Sequence, residues 1–241
     1  RCPLTGLPMT ALLITVDTEL SSSLHQRGVS LTDNVSRSIW AEAKGEGHGI
    51  GWQMDMLERH GLKGVFFLDP MPALVHGADF LAPIVKAIKS RGHEVQMHIH
   101  TEWLAWAKQS PIGGRQGRNI GDFSLDDQIT LLSLAKMLLE RAGAPSNLGR
   151  ECSIPADPAD IGAQRLQGVA ELPVSGIHDR PGHFRPAQIC AMSAAEMRAG
   201  LRHAAREGQD AFTVVTHSFE MLSRDRQRPN AMVKARFVAL C

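Results

Sequence analysis

The sequence predicts an α/β protein built on a parallel sheet, and three observations predict it. Short apolar runs of strand length alternate with amphipathic stretches of helical length, the pattern of a parallel sheet covered by helices. Four of the strand ends carry acids or histidines: Asp17 and Glu19, Asp69, His98 and His100, and His217. At 241 residues, 43% hydrophobic and 21% charged, the chain has the size and ordinary composition of a domain that buries a sizeable core. Residues 1–241 read as a single domain, since no linker, repeat or low-complexity segment interrupts them.

Residues 12–16 are the first strand, an apolar run ending in Asp17-Thr-Glu19. A polar, glycine-rich loop follows, then a helix over 50–60 with Gly61 as its C-terminal stop. Residues 64–68, Gly-Val-Phe-Phe-Leu, form a buried strand closed by Asp69-Pro70. An amphipathic helix over 80–90 ends at Gly92, and residues 94–98 are the next strand. Ser124, with Asp127 three residues on, opens the longest helix, which stops at Gly143-Ala-Pro145. Ser193 and Glu196 form a second capping box, heading a helix to about residue 207. Residues 212–216 are the last clear strand, and His217 follows at once.

Residues 92–103, Gly-His-Glu-Val-Gln-Met-His-Ile-His-Thr-Glu-Trp, carry the densest chemistry. Side chains two apart on a strand share a face, so a strand continued through this run presents His98, His100 and Glu102 together. Two imidazoles and a carboxylate suit zinc or a similar divalent transition metal. A lone histidine at a strand end is commonplace, as a surface group or a helix cap. Several acid- and histidine-bearing strand ends are a stronger signal, because parallel α/β folds bind ligands at the C-terminal edge of their strands.

Charge and composition exclude other classes. The formal net charge is +1, so no global basic field points to nucleic acid or to an anionic membrane. No apolar run approaches the roughly 18–20 residues that span a bilayer. Cys2, Cys152, Cys190 and Cys241 are far apart and form no CxxC pair; they read as scattered thiols, which favours a reducing, cytoplasmic compartment. Residues 178–183, His-Asp-Arg-Pro-Gly-His, read as a solvent loop around a Pro-Gly turn and not as a second metal site. The oligomeric state is open.

Taken in order, the strand ending in Asp17-Thr-Glu19, the Gly92-His-Glu strand leading to His98-Ile-His100-Thr-Glu-Trp103, and the strand Val214-Val-Thr-His217 resemble the motifs of the polysaccharide deacetylases. These are the NodB-homology group of carbohydrate esterases, family 4-like. The resemblance implies a distorted (β/α) barrel with a divalent metal, zinc expected, at the strand C-termini. It also implies hydrolysis of an N-acetyl, sometimes O-acetyl, group on a carbohydrate substrate. By position, Asp17 matches the general base, His217 the general acid and His98 the first metal histidine.

Three departures from the pattern matter. Thr18 separates the two acids that are usually adjacent, so Glu19 is expected as the metal-binding acid, unless Asp17 itself takes that place. The usual second histidine position is Glu102, so His100 is expected as the second imidazole, with Glu102 on the substrate side. After the long helix, Gly143-Ala-Pro145 passes directly into residues 146–152 without a strand or the arginine motif that pairs with the base. About one βα unit, roughly 30 residues, is therefore expected to be missing between Pro145 and Gly149.

Trp103 and Trp106 either stack on a sugar ring or pack a helix against the barrel. Arg115 and Arg118, in a glycine-rich basic loop, are expected to hold an anionic substrate such as a uronate or a nucleotide-sugar phosphate. Two other readings remain open: a catalytically degenerate carbohydrate-binding module, and a metal-dependent hydrolase of another non-peptide C–N bond.

Overall fold

The first apolar run folds as β1 (Ala11–Thr18), which keeps Asp17 inside the strand. A computed structural model describes residues 10–144, 148–150, 164–166, 169–171 and 174–241. The stretch after β1 is more structured than a polar loop. It holds α1 (Ser22–Gln26), α2 (Leu31–Val35), a π-turn over Ser36–Trp40 and a two-residue hairpin, β2 (Glu42–Ala43) with β3 (Glu46–Gly47). Ser21 and Ser30 cap the two short helices, each accepting a backbone N–H through its hydroxyl.

The regular alternation then begins. Helix α3 (Ile50–Arg59) leads to β4 (Val65–Leu68); α4 (Ala73–His76) and α5 (Leu81–Lys89) lead to β5 (Glu94–His98). A 3₁₀ turn over Thr101–Trp106 and α6 (Leu125–Arg141) lead to β6 (Leu148–Arg150). Next come β7 (Gln164–Leu166), β8 (Val169–Glu171), and the antiparallel hairpin of β9 (Gly176–Arg180) and β10 (His183–Pro186). Helix α7 (Ala194–Arg206), β11 (Ala211–His217) and α8 (Ala231–Leu240) finish the chain. Ser124 and Ser193 cap α6 and α7 as the sequence predicts, with the full capping box at Ser193/Glu196.

The sheet runs β11-β1-β4-β5-β6-β8-β7, parallel except for β7 against β8. The last long strand lies beside the first, and β4, β5 and β6 follow in chain order, the cyclic order of a (β/α) barrel, until β7 and β8 exchange places at the far edge. Among the described residues the circle stays open between β7 and β11, so the barrel is distorted. The outer edge of β11 is instead met by residues 175 and 187–189: Ser175 N–H donates to the Thr213 carbonyl, Val215 N–H to Ala187 and Ile189 N–H to Val215. Both faces of the central strands are covered, and Val16, Phe66, Leu57, Ile84 and Val214 are buried in one core, which explains their nearly continuous apolar sequences.

One expectation is corrected. A strand does follow the long helix: β6 pairs in parallel with β5 through Met97↔Gly149 and His98↔Arg150. Its sequence, Leu-Gly-Arg, is three residues long with glycine at its centre, so it carries no apolar run to be recognised. The register also places an arginine backbone beside His98. The neighbouring positions of the expected gap, 145–147 and 151–163, lie outside the described residues, as do Cys2 and Cys152. The other two cysteines are free thiols. Among the described residues no helix is long and apolar enough to cross a membrane.

Gly49 joins the π-turn to α3 at a close backbone approach. A Cβ there would lie 2.6 Å from the Trp40 carbonyl carbon and closer still to the Ile39 carbonyl oxygen. Gly49 N–H donates to the Trp40 carbonyl at 2.8 Å, so the two segments cannot part without losing that bond. Gly49→Ala is expected to cost about 3 kcal/mol, at the upper end of overpacking penalties, read as a lower urea midpoint at unchanged slope.

Candidate active site

The strand ends β1, β4, β5 and β11 meet on one edge of the sheet. Period two puts Glu19, just past β1, on the same side as Asp17. There its Oε2 lies 2.5 Å from His100 Nε2 and 3.3 Å from His98 Nε2, and the two imidazole nitrogens are 3.0 Å apart. The three ligand atoms lie within 4.8 Å of one another. Glu19 Oε2 is buried and, despite those short approaches, has no hydrogen bond of acceptable geometry. One carboxylate oxygen and two imidazole nitrogens converging on one point are a donor set for a divalent cation of the zinc type.

Around these atoms, partners fix the rings. His100 Nδ1 is 3.1 Å from Glu102 Oε2, and Glu102 Oε1 accepts the Ser22 hydroxyl at 2.9 Å. Glu102 therefore faces His100 and α1, as a carboxylate that orients a ligating imidazole does. Asp69, buried past the end of β4, accepts the backbone N–H of Met71 at 3.0 Å and of His100 at 3.3 Å through Oδ1. Burial pushes the Asp69 carboxyl up to about 6, although the nearby histidines oppose this.

The charges are strongly coupled. Burial works to raise Glu19, but His100 and His98 overcome it and hold the carboxyl well below the usual range. Burial likewise works to lower His100, yet its contacts with Glu102 and Glu19 push it up to about 12.

Across β1 stands the second half of the site. Asp17 and His217 are strand partners in the β1–β11 ladder, and His217 Nε2 lies 4.0 Å from Asp17 Oδ2. His217 Nδ1 is 3.1 Å from Glu220 Oε1. Glu220 is itself held by the Thr216 hydroxyl at 2.9 Å, the His217 backbone N–H at 3.2 Å and Gln188 Nε2 at 2.5 Å. Burial would lower His217, but the bond to Glu220 and the charges of Glu19, Glu220 and Asp17 outweigh it, raising the imidazole to about 9. Gln53 fastens the His217 carbonyl from α3 at 3.1 Å.

Asp17, Glu19, His98, His100 and His217 are thus brought together at one strand edge, where the sequence expects them. The four residues expected to bind substrate are placed as follows. Glu102 is turned onto His100 and Ser22 and not into open space. Trp103 is 0% exposed, so its ring has no face for a sugar; it packs against His25 and Trp106 with centroids 5.3 and 5.7 Å apart. Arg115 is committed to Asp127 at the head of α6, with Nε–Oδ2 at 2.7 Å and Nη2–Oδ1 at 2.5 Å. Arg118 is exposed, and its placement is set by its backbone N–H to Asp122 at 3.0 Å.

Glu220 and Gln188 are residues to which sequence reading gave no role. Glu220 left a faint signal, an acid three residues beyond a strand-end histidine, the reach of one turn. Gln188 left none, because it meets Glu220 only through the tertiary fold.

No protein-family model matches the chain, and no curated protein matches it. It is similar to several solved structures, among them the following three. One is the catalytic domain of peptidoglycan N-acetylglucosamine deacetylase from Eubacterium rectale ATCC 33656, at 13% identity and a TM-score of 0.44, covering 92% of this chain and 84% of that one. Another is PdaA from Bacillus subtilis, a family 4 carbohydrate esterase, at 12% identity and 0.45, covering 98% and 75%. The third is the Xyl-CE4 domain of a multidomain xylanase from the hindgut metagenome of Trinervitermes trinervoides, at 13% identity and 0.42, covering 96% and 81%.

Titration of the chelator-stripped protein with Zn²⁺, read by a competing chromophoric chelator, should give one site per chain. Glu19→Gln and His98→Ala should abolish it. Glu102→Gln should weaken it by about 10- to 100-fold, the usual effect of removing a partner that orients a ligand. Asp17→Asn should leave it intact; loss of the ion in that variant would make Asp17 a ligand.

Proposed function

We propose that this protein is a metal-dependent hydrolase that removes the acetyl group from an N-acetylated sugar. The observation that carries the reading is the convergence of Glu19, His98 and His100 beside the Asp17–His217 pair. The order of these motifs along the chain and their resemblance to the polysaccharide deacetylases supply the substrate class.

An acetamide resists water near neutral pH because the carbonyl is weakly electrophilic and the amine is a poor leaving group. Glu19, His98 and His100 would hold the divalent ion, with zinc fitting two nitrogens and one oxygen. When bound, such an ion polarises the acetyl carbonyl and lowers the pKa of water at the site to about 7. Asp17, buried at the end of β1, takes a proton from the attacking water. His217, held by Glu220, delivers a proton through Nε2 to the departing nitrogen, which would otherwise leave as an unstable anion. Glu220 keeps Nδ1 engaged, so Nε2 is the nitrogen that faces Asp17 and the reacting centre.

The test is acetate release from N-acetylglucosamine oligomers by the zinc-loaded protein. Activity should vanish with a chelator and with Asp17→Asn, while the same protein leaves cyclic imides intact. Turnover of the imide and not of the sugar would overturn the reading.

The pH profile carries a second expectation. His217 is raised above its unfolded value of about 6.5, so its acid form is present at and below neutral pH and is lost as pH rises through the folded value of about 9. A bound cation offsets the Glu19 contribution, so the alkaline limb of kcat belongs at or below about 9. Glu220→Gln removes the leading favourable contact and should move that limb to lower pH. An unmoved limb would show that Glu220 does not tune the acid.

A further inference from the structure

Three features at the mouth of the site are not used by the chemistry above. The first is Arg226, in the turn between β11 and α8. Its guanidinium lies 4.2 Å from the centroid of Phe219, and the Phe219 ring is 5.3 Å from that of His217. The second is the way Arg226 is held. Nη1 donates to the Ser38 hydroxyl at 2.8 Å, Ser38 in turn donates to Asn34 at 2.8 Å, and Asn34 brackets the backbone of Ser21 at 3.0 and 2.9 Å. Ser21 lies two residues beyond the metal-site acid Glu19. From the other side, Ser218 donates its hydroxyl to the Ser38 carbonyl at 2.6 Å. The guanidinium is thus fixed relative to both halves of the active site.

The third feature is unspent positive charge. Of the five N–H donors of Arg226, only the one to Ser38 is used among the described residues. Its backbone is in the left-handed region, at φ 57°, which non-glycine residues seldom adopt and which collects at functional sites. Arg37, next to Ser38, and Arg27, on the loop after α1, are exposed. Among the described residues none of the three forms an ion pair.

Among the described residues, the acids nearest in sequence form no ion pair with these arginines and accept from neutral donors instead. Asp33 accepts from Ser30, Glu42 from Ser36, and Asp225 from Ser223 and the Gln227 N–H. Burial lowers the Arg226 guanidinium below its ordinary value; Glu19 opposes this, while Arg27 and Arg37 add repulsion. The three cations and the metal-site acid therefore share one electrostatic neighbourhood, in a chain whose net charge is only +1.

We propose that Arg226, with Arg37 and Arg27 beside it, binds an anionic group on the substrate, so that the sugar hydrolysed carries a carboxylate or a phosphate in addition to its N-acetyl group. A fixed guanidinium fork with free donors matches both anions. This assignment rests on the deacetylase reading, and it moves the anion site from the Arg115/Arg118 loop to the turn after β11.

The zinc-loaded enzyme is assayed with three N-acetylated sugars of equal length: a neutral one, one bearing a carboxylate and one bearing a phosphate. The expected result is a kcat/KM at least about tenfold higher for one or both charged sugars, the scale of one charge-assisted hydrogen bond, with the advantage shrinking as salt rises. The charged arm that gains identifies the anion. Arg226→Gln and, independently, Arg37→Gln should each reduce the charged-to-neutral ratio. Arg37→Gln guards against a folding artefact, since its exposed side chain makes no contact that the fold needs.

A wild-type ratio near one, or a ratio that both variants leave intact, would overturn the proposal. The two readings can fail separately. If no sugar releases acetate, the deacetylase reading falls, and calorimetry with the same three sugars still reports on the arginines. Tighter binding of a charged sugar that Arg226→Gln removes supports the anion site, and equal binding of charged and neutral sugars overturns it.

Discussion

The parallel pairing of β1 with β11 is the constraint on which the site depends. Seven consecutive residues pair, from Ala11↔Ala211 to Asp17↔His217, and the last pair is the proposed base and acid. Two residues past Asp17, just beyond β1, lies Glu19, and across β4 lie His98 at the end of β5 and His100 shortly after it. A slip of one residue in this ladder would turn every side chain of one strand to the opposite face. Both faces of this ladder are buried, and a slip would lift Ile14, Val16 and Val214 out of the close packing they fill and break the buried bond from the Thr15 hydroxyl to the Val214 carbonyl at 3.1 Å. The hydrophobic pattern of the first and last strands therefore fixes a distance that only the chemistry uses.

The second governing fact is the cost of charge in the interior. Asp17, Glu19, Asp69 and Glu220 bring four carboxyls to one buried edge, and His98, His100 and His217 bring three imidazoles. Burying an unpaired carboxylate is expensive, and the structure meets that cost in three ways. Glu220 is surrounded by hydrogen-bond donors, and Glu19 is matched by the imidazoles. Asp69 follows a third route, rising to about 6 so that it is partly neutral near neutral pH. Glu19, His98 and His100 would hold a divalent cation only with both imidazoles deprotonated, so metal affinity should rise with pH.

Much of the site was legible from one-dimensional spacing, and the reason is geometric. Strand period two and the habit of parallel sheets to bind ligands at their C-terminal edge are both encoded locally, so Asp17, Glu19, His98, His100 and His217 could be found from sequence. The errors share another cause. Arg115 looked free because its partner Asp127 is twelve residues away, and Trp103 looked like a sugar platform because a 3₁₀ turn, not a continued strand, follows His100 and swings its ring into the core. The same turn brings Glu102 against His100 Nδ1. β6 escaped notice because a strand covered by neighbours on both edges can form from Leu-Gly-Arg without an apolar run of its own. Local pattern reports which face a residue occupies, while what it meets there is decided by the chain's return from elsewhere.

That difference is clearest in the segment between β1 and α3. Its irregular features, the π-turn over Ser36–Trp40 and the left-handed Ala41 at φ 48°, are unfavourable by themselves, and π-turns often mark functional sites. They persist because buried side chains hold them: Asn34 spans to Ser21, Ser38 to Asn34, and Ser218 to the Ser38 carbonyl. Those three contacts tie the loop after β1 to the loop after β11, the same two strands whose pairing sets base against acid. Separation of β1 from β11 would thus disturb the reacting pair and the cationic rim together. Catalytic geometry and the placement of Arg226 are consequences of one packing arrangement and not independent additions to the fold.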